Sequence, residues 1–186
     1  MSRFSVVDLP LAGLKRVDRV RLSDQRGTLS RLFCVDELAA AGWNRPVVQI
    51  THTCTAYRGT VRGMHFQHPP HVDMKLVSCI RGRVFDVAID LRAGSPTFAQ
   101  WHAEELDAES GGALLLPAGF AHGFQALTDD AELLYCHSAA HAPDADAGLN
   151  PRDERLAIAW PLPIVGLSPR DEAQPRLGKQ FEGLRA

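Results

Sequence analysis

Short apolar segments bounded by Gly, Pro or Asp occupy most of the chain, which is the pattern of an all-β sandwich or barrel. We predict eight strands: Leu29–Cys34, Val47–Thr53, Val61–Gln67, Lys75–Ile80, Val84–Leu91, Ala113–Leu116, Gly123–Leu127 and Leu133–Ser138. The dipeptide Arg81–Gly82 predicts a tight turn between two of them. The segment Asp36–Gly42, with Asp at its start and Gly at its end, predicts a helical turn.

Alternation along the strands sorts the side chains onto two faces of the sheet. In the fifth predicted strand one face is wholly apolar, whereas the other face carries Asp86 and Asp90. In the last predicted strand, Tyr135 and His137 point to the same side. A barrel built from these strands therefore has polar groups to turn inward, and small barrels commonly bind one ligand in their mouth.

Length and composition restrict the class of protein. A chain of 186 residues, 45% hydrophobic and 23% charged, has the size and composition of one soluble domain, residues 1–186. The net charge of −2 provides no basic field for nucleic acid, and no apolar run is long enough to span a membrane. The start lacks signal-peptide features and the four cysteines are scattered, so we expect a reduced, cytoplasmic protein. From Pro151 the chain is rich in Pro and charge, and we expect it to wrap the barrel with Trp160 as an apolar anchor.

Three of the eight histidines, His65, His68 and His71, lie close together in GMHFQHPPH. Imidazole is the commonest metal ligand, so a metal site is one interpretation. The HxxHxxH spacing does not place two imidazoles on one strand face, no glutamate is nearby, and Pro69–Pro70 interrupts the strand. We therefore expect no bound metal, and we expect His68 and His71 in a surface loop.

His65 differs because it lies inside an apolar strand, where a buried, hydrogen-bonded core histidine is the alternative interpretation. A second unit, PAGFAHGF, places His122 between two glycines, which would leave its ring accessible to a ligand. Three further polar residues on predicted strands join these histidines in a candidate acid–base set with an anion clamp: Lys75, Tyr135 and Arg62. Strict alternation puts Arg62 opposite His65, so either a bulge at Gly63 re-aims one of them or Arg62 reaches over the rim.

Several long strings, in order, resemble the dTDP-4-dehydrorhamnose 3,5-epimerase family over roughly residues 20 to 175. They are SDQRGTL, GTVRGMHFQ, KLVSCIRGRVFDVAIDLRAGSPTF, LLLPAGFAHGFQAL, ELLYCHS, AIAWPLP and LSPRD. The resemblance implies a cupin-type β-barrel or jelly roll with short helical turns and a C-terminal wrap. It also implies a homodimer that binds a nucleotide-diphosphate 4-keto-6-deoxy sugar and supports rhamnose-type deoxysugar biosynthesis.

The chemistry of that family explains why these residue types are needed. In a 4-keto sugar the hydrogens at C3 and C5 are acidic because both are α to the carbonyl. Epimerisation requires a base, an acid on the opposite face and stabilisation of the enolate oxygen, without a redox cofactor or a metal. The resemblance implies that His65 is the base, that Asp171 orients it, and that Tyr135 is the acid. It also implies that Lys75 stabilises the enolate and that Arg62 and His122 bind the diphosphate or sugar.

Composition alone would favour plainer roles for two of these residues. Asp171 lies in SPRD, where a turn or helix-cap carboxylate is the alternative interpretation, and Tyr135 could be a barrel-core aromatic residue. Arg170, beside Asp171, is a further candidate for substrate binding.

The chain departs from the family at positions that bind the nucleotide and the sugar, often from a neighbouring subunit. The early arginine, Arg26, is present, but Leu29 and Arg31 stand where relatives usually carry an aromatic and then an acidic residue. A QxN pair of relatives appears here as Gln49 and Thr51, so the identity of the base is left open. A tyrosine that relatives often carry near the sugar is replaced by His141, so inversion at C3, at C5 or at both remains possible.

Two other classes of function compete with the epimerase interpretation. One is a non-catalytic, cupin-type sugar-nucleotide binding or regulatory protein, although such a protein has no reason to keep a full acid–base set. The other is a metal-dependent cupin that acts as a dioxygenase or isomerase on a small metabolite.

Overall fold

The computed structural model describes residues 2–185. Within them lie thirteen strands and two short helices. The strands are β1 (Phe4–Asp8), β2 (Lys15–Arg19), β3 (Arg21–Asp24), β4 (Gly27–Ser30), β5 (Gln49–Thr55), β6 (Val61–Gln67), β7 (Lys75–Arg81), β8 (Arg83–Asp90), β9 (Trp101–Asp107), β10 (Gly112–Leu116), β11 (Phe120–Ala126), β12 (Ala131–His137) and β13 (Asp146–Gly148). The helices are α1 (Val35–Ala39) and α2 (Pro169–Glu172). Among residues 2–185, no helix is long and apolar enough to cross a membrane.

Two antiparallel sheets face each other around the core. The strand order is β1-β2-β10-β7-β12-β5 in the first sheet and β13-β6-β11-β8-β9 in the second. Buried side chains from both sheets, among them Val77, Leu133 and Phe124, pack into one cluster between them. The strands β3 and β4 form a separate two-stranded hairpin. This architecture confirms the predicted all-β barrel.

The seven strands predicted from Val47 onward are confirmed, with ends that differ by at most three residues. The predicted strand Leu29–Cys34 is wrong beyond Ser30, because the chain leaves the hairpin and Phe33 packs edge-on against Trp43 with ring centroids 5.3 Å apart. The predicted helical turn is present as α1, which begins one residue earlier than expected. The sequence did not reveal β1, β2, β3, β9, β13 or α2. Edge strands such as β9 expose one face to solvent and lack the apolar run that marks a buried strand.

The C-terminal segment covers the outer face of β8, and Trp160 packs there as the apolar anchor that we expected. Phe85 points outward from β8 and meets the Trp160 ring edge-on at a centroid distance of 6.1 Å. The indole N–H of Trp160 donates to the carbonyl of Pro151 at 2.8 Å, which fixes the ring at the start of the wrap. Because the apolar face of β8 is used here, Asp86 and Asp90 face the inside of the barrel, and both are fully buried.

The register between β6 and β11 shifts where Gly63 crosses Gly123. Two residues of β6, Gly63 and Met64, lie opposite the single residue Gly123, which is a β-bulge. A Cβ on Gly63 would lie 2.5 Å from the Cα of Gly123, and Gly63 has a φ of +120°. Of the two alternatives left open by the sequence, the structure has the bulge at Gly63, and its extra residue lets both Arg62 and His65 reach the same cavity.

Replacing Gly63 with alanine should destabilise the fold by about 1–3 kcal/mol, because the new side chain would be strained at this φ and would collide with the β11 backbone. Urea unfolding of the variant and of Gly178→Ala measures the difference. Gly178 is the matched control because its added methyl group meets nothing within 4 Å and its φ lies outside the left-handed region. Equal stabilities for the two variants would contradict the close crossing.

Candidate active site

A cavity of about 730 Å³ lies between the two sheets. Ten of the twelve residues proposed from the sequence line it: Gln49, Thr51, Arg62, His65, Lys75, His122, Tyr135, His141, Arg170 and Asp171. These residues come from β5, β6, β7, β11 and β12, from the loop after β12 and from α2. The fold therefore brings together side chains that are more than a hundred positions apart in the chain.

Arg26 and Arg31 do not line this cavity. Arg26 lies in the turn between β3 and β4, and its side chain is 90% exposed and paired with Asp24. Arg31 follows β4 and pairs with Glu37 at the start of α1. The hairpin pairs with no other strand of the described chain, so it carries both arginines away from the site.

A short polar contact in the cavity joins His65 and Asp171. The Nε2 atom of His65 lies 2.6 Å from Oδ1 of Asp171. In α2, Ser168 is the N-cap, accepting from the backbone N–H of Asp171 at 3.0 Å, so Asp171 does not cap its own helix. Its carboxylate instead points into the barrel, where it also accepts from the backbone N–H of Gly63 at 3.4 Å.

The buried carboxylate of Asp171 stays ionised because of its partners. Burial by itself raises the pKa of Asp171, but the hydrogen bond from His65, the charge of His65 and the N–H of Gly63 lower it by more. The net result is a pKa below the ordinary value for aspartate. A charged Asp171 fixes a proton on Nε2 of His65 and leaves Nδ1 as the nitrogen that can accept another.

Tyr135 lies on the opposite sheet from His65, and its ring is enclosed by two imidazoles. His122 meets it edge-on at a centroid distance of 5.7 Å, and His137 stacks on it at 5.8 Å with an interplanar angle of 13°. Burial raises the pKa of Tyr135 far above its ordinary value, and the charge of Asp86 adds to this effect. The phenol therefore keeps its proton across the physiological range of pH.

Two more imidazole–carboxylate pairs lie in the wall of the cavity. His122 Nε2 is 2.9 Å from both oxygens of Asp86, and both side chains are buried. His137 Nδ1 is 2.7 Å from Oδ2 of Asp73. Sequence reasoning did not propose His137, Asp73 or Asp86 as site residues. The available signals were alternation with Tyr135 for His137 and, for Asp86, a carboxylate in an apolar strand.

Lys75 provides a cation without a carboxylate partner. Within residues 2–185, its ammonium group forms no salt bridge, and it lines the cavity on the strand next to Tyr135. Burial lowers the pKa of Lys75, and the charges of Asp73, Asp146 and Asp86 partly offset that change. Such a group can stabilise negative charge that develops on a bound ligand.

The remaining candidates surround the cavity with hydrogen-bonding groups. Arg62 donates from Nε to Thr55 Oγ1 at 3.0 Å and from Nη2 to the carbonyl of Cys54 at 3.2 Å. Gln49 donates to Thr51 Oγ1 at 3.1 Å and accepts from the backbone N–H of His141 at 3.0 Å. Arg170 is paired with Asp146. Arg62, Lys75 and Arg170 thus give the cavity three cationic groups.

Within the described part of the chain, no three His, Cys, Asp or Glu side chains converge as metal ligands. His68 and His71 are exposed, and the ring of His68 packs edge-on against Phe66 at a centroid distance of 5.2 Å. Their predicted position in a surface loop is confirmed.

Comparison with known proteins identifies the family. The profile of dTDP-4-dehydrorhamnose 3,5-epimerase matches residues 8–179. The chain belongs to this epimerase family. A dTDP-4-dehydrorhamnose 3,5-epimerase of Sinorhizobium fredii (strain NBRC 101917 / NGR234) is 39% identical over 170 residues, which cover 91% of this chain and 87% of the relative.

Two solved structures extend the comparison to the fold. A dTDP-6-deoxy-D-glucose-3,5-epimerase from Legionella pneumophila, solved with dTDP-4-keto-L-rhamnose, superposes with a TM-score of 0.92 at 33% identity, covering 98% of each chain. ChmJ, a 3′-monoepimerase from Streptomyces bikiniensis, was solved with dTDP as a histidine-to-asparagine and tyrosine-to-phenylalanine double variant. It superposes with a TM-score of 0.84 at 37% identity, covering 91% of this chain and 85% of ChmJ. These likenesses confirm the cupin-type barrel that the resemblance implied.

Replacing Asp171 with asparagine should destabilise the epimerase by about 1–3 kcal/mol at pH 7, because a neutral amide replaces the charged acceptor of a buried hydrogen-bonded pair. Folding lowers the pKa of Asp171, so its stabilising effect is complete above about pH 4 and is lost as the pH falls through the lowered value. Urea unfolding at a series of pH values should show wild type and variant converging below about pH 4.

Asp144→Asn is the matched control for this series, because Asp144 is exposed and makes no hydrogen bond within residues 2–185. It should stay within about 0.5 kcal/mol of wild type at every pH. A pH-independent difference for Asp171→Asn would contradict an ionised, paired Asp171.

Proposed function

We propose that this chain, acting as one domain, epimerises a dTDP-linked 4-keto-6-deoxyhexose at C3, at C5 or at both carbons. The observation that carries the proposal is the placement of the His65–Asp171 pair and Tyr135 on opposite sheets of one cavity. Inversion beside a ketone needs one group to remove a proton from one face of the sugar and another to return a proton to the other face. The family and its relatives in deoxysugar biosynthesis support the same reaction class.

In the proposed mechanism His65 is the base. Its Nε2 proton is held by Asp171, so Nδ1 takes the hydrogen from the carbon next to the ketone. The C–H electron pair moves into the enolate, and the imidazolium that forms is stabilised by the charged carboxylate. The variant of ChmJ supports the roles of a histidine and a tyrosine, because its two changed residues are separated by the same number of positions as His65 and Tyr135.

Tyr135 is the proposed acid on the second face. Its phenol stays protonated because the ring is buried between His122 and His137. Lys75, which has no carboxylate partner in the described chain, would stabilise the enolate oxygen while the proton is in transit. His122 would hold the Tyr135 ring, which it meets edge-on, and Asp86 would fix the orientation of His122.

Substrate binding is proposed for the polar rim of the cavity. Arg62 and Arg170 would bind the diphosphate, for which guanidinium groups are suited, and Gln49, Thr51 and His141 would contact the nucleotide or sugar. Among residues 2–185, no three His, Cys, Asp or Glu side chains converge as metal ligands at this rim.

A homodimer would explain the two arginines outside the cavity. Arg26 and Arg31 lie on or beside the hairpin, which presents Leu29 with 70% of its surface exposed. The edge strand β5 carries Ile50 at 63% exposure. We propose that this apolar surface pairs with a second copy and that the hairpin extends Arg26 and Arg31 toward the partner's nucleotide site. We also propose a cytoplasmic setting, which four free thiols support.

Changing Tyr135 to phenylalanine tests the acid role, because the ring and its packing remain while the proton is removed. Epimer formation at saturating dTDP-4-keto-6-deoxyglucose should fall by about 10²–10⁴-fold at one or both of the carbons that the wild type inverts. Exchange of the C3 or C5 hydrogen with solvent deuterium should continue, because His65 can remove and return a proton on its own face. Proton NMR measures both quantities.

A Tyr57→Phe variant is the control for loss of a phenol, because Tyr57 lies at the cavity with 74% of its surface exposed. It should turn over at nearly the wild-type rate. Full epimer formation by a folded Tyr135→Phe protein would show that Tyr135 is only a core aromatic residue.

A further inference from the structure

The third imidazole–carboxylate pair, His137 and Asp73, has no role in the mechanism above. His137 is the last residue of β12, two positions after Tyr135, and both side chains line the cavity. The two rings stack almost in parallel, with centroids 5.8 Å apart. His137 lies opposite Lys75 on one side and Gln49 on the other in the register of the sheet. It therefore occupies the same wall of the cavity as the proposed acid.

Asp73 fixes the orientation and tautomer of His137. Its Oδ1 atom accepts from the backbone N–H groups of Ser138 at 2.9 Å and Ala139 at 3.0 Å. Its Oδ2 atom lies 2.7 Å from Nδ1 of His137. A carboxylate held in this way keeps a proton on Nδ1 and stabilises the imidazolium when a second proton binds Nε2.

The Nε2 atom of His137 remains available to a ligand. It makes no hydrogen bond to any residue from 2 to 185, although the ring lines the cavity and the side chain is 14% exposed. The Asp73 carboxylate already accepts hydrogen bonds from the backbone N–H groups of Ser138 and Ala139 and from the Ser138 hydroxyl. It therefore does not need His137 as a partner for a purely structural role. His122 differs because its side chain is only 5% exposed, whereas that of His137 is 14% exposed.

We propose that His137 is a second proton donor on the Tyr135 wall, that Asp73 is its positioning residue, and that the donor serves a carbon beside the ketone of the sugar. This inference rests on the proposed epimerase function. Two carbons flank the ketone, and two proton donors side by side on one wall provide one donor for each of them.

The proposed step is balanced without a further reactant. The Nε2–H bond of the His137 imidazolium breaks as the enolate carbon forms its new C–H bond, and the imidazole becomes neutral. The proton that His65 removed passes to solvent, and His137 regains a proton from water through the partly exposed rim. The net change is inversion of one carbon.

The experiment compares inversion with exchange, which a structural role would not separate. Wild type and His137→Gln are incubated with dTDP-4-keto-6-deoxyglucose in D₂O, and NMR measures inversion and deuterium incorporation at C3 and C5. Because His65 still removes the proton in the variant, exchange with retention should continue. The ratio of inversion to exchange should fall at least tenfold at one carbon that the wild type inverts.

Asp73→Asn tests the pair with little change of shape. The asparagine Oδ1 keeps the bonds to Ser138 and Ala139, while its amide group faces Nδ1 of His137 and forces the proton onto Nε2 in a neutral ring. A neutral imidazole is a much weaker acid, so the same ratio should fall at the same carbon. His137→Phe, which keeps the stacked ring, replaces His137→Gln if the latter does not fold.

His52→Gln is the matched control, because His52 forms a pair with Glu132 at 2.9 Å and is not part of the cavity. Its ratio of inversion to exchange should equal that of the wild type. A ratio for the His137 variant that stays within tenfold of wild type at every carbon overturns the inference, whether or not the overall rate falls. A wild type that neither exchanges nor inverts the sugar instead overturns the proposed function itself.

Discussion

Three carboxylates buried in the wall of one cavity, Asp171, Asp86 and Asp73, are the constraint on which the site depends. An ionised carboxylate removed from water costs several kcal/mol unless it is paired and hydrogen-bonded. Here each is bonded to one imidazole, at distances between 2.6 and 2.9 Å. The three pairs fix which nitrogen of each imidazole is available, and two of them hold the rings that enclose Tyr135. Charge burial, ring orientation and the proposed proton transfers are thus consequences of the same contacts.

A local irregularity of the backbone positions the first of these pairs, His65 and Asp171. Without the bulge at Gly63, alternation along β6 would send Arg62 and His65 to opposite faces of the sheet. The close crossing with Gly123 lets both side chains enter the cavity, and the N–H of Gly63 also bonds to Asp171. The bulge at Gly63 therefore positions both His65, the proposed base, and Arg62, which is proposed to bind the diphosphate.

Much of this arrangement could be predicted from the sequence, for reasons that differ between residues. Period-two alternation predicted the strands that carry Lys75 and Tyr135, because buried strands of a barrel have a strong apolar signal. Asp171 lies 106 positions from His65, and only the resemblance to the family connected the two. Edge strands such as β9 were missed because their exposed faces are polar. Asp73 was missed because a carboxylate in a loop gives no local sign of its partner on β12.

The central claim is that His65 removes a proton beside the ketone from one face of the sugar. The most direct test follows the exchange of the C3 and C5 hydrogens of dTDP-4-keto-6-deoxyglucose in D₂O by NMR, with wild type and with a folded His65→Ala variant. The account predicts rapid exchange at one or both carbons with the wild type, and exchange no faster than in buffer alone with His65→Ala. Exchange at the wild-type rate by the folded variant would contradict it.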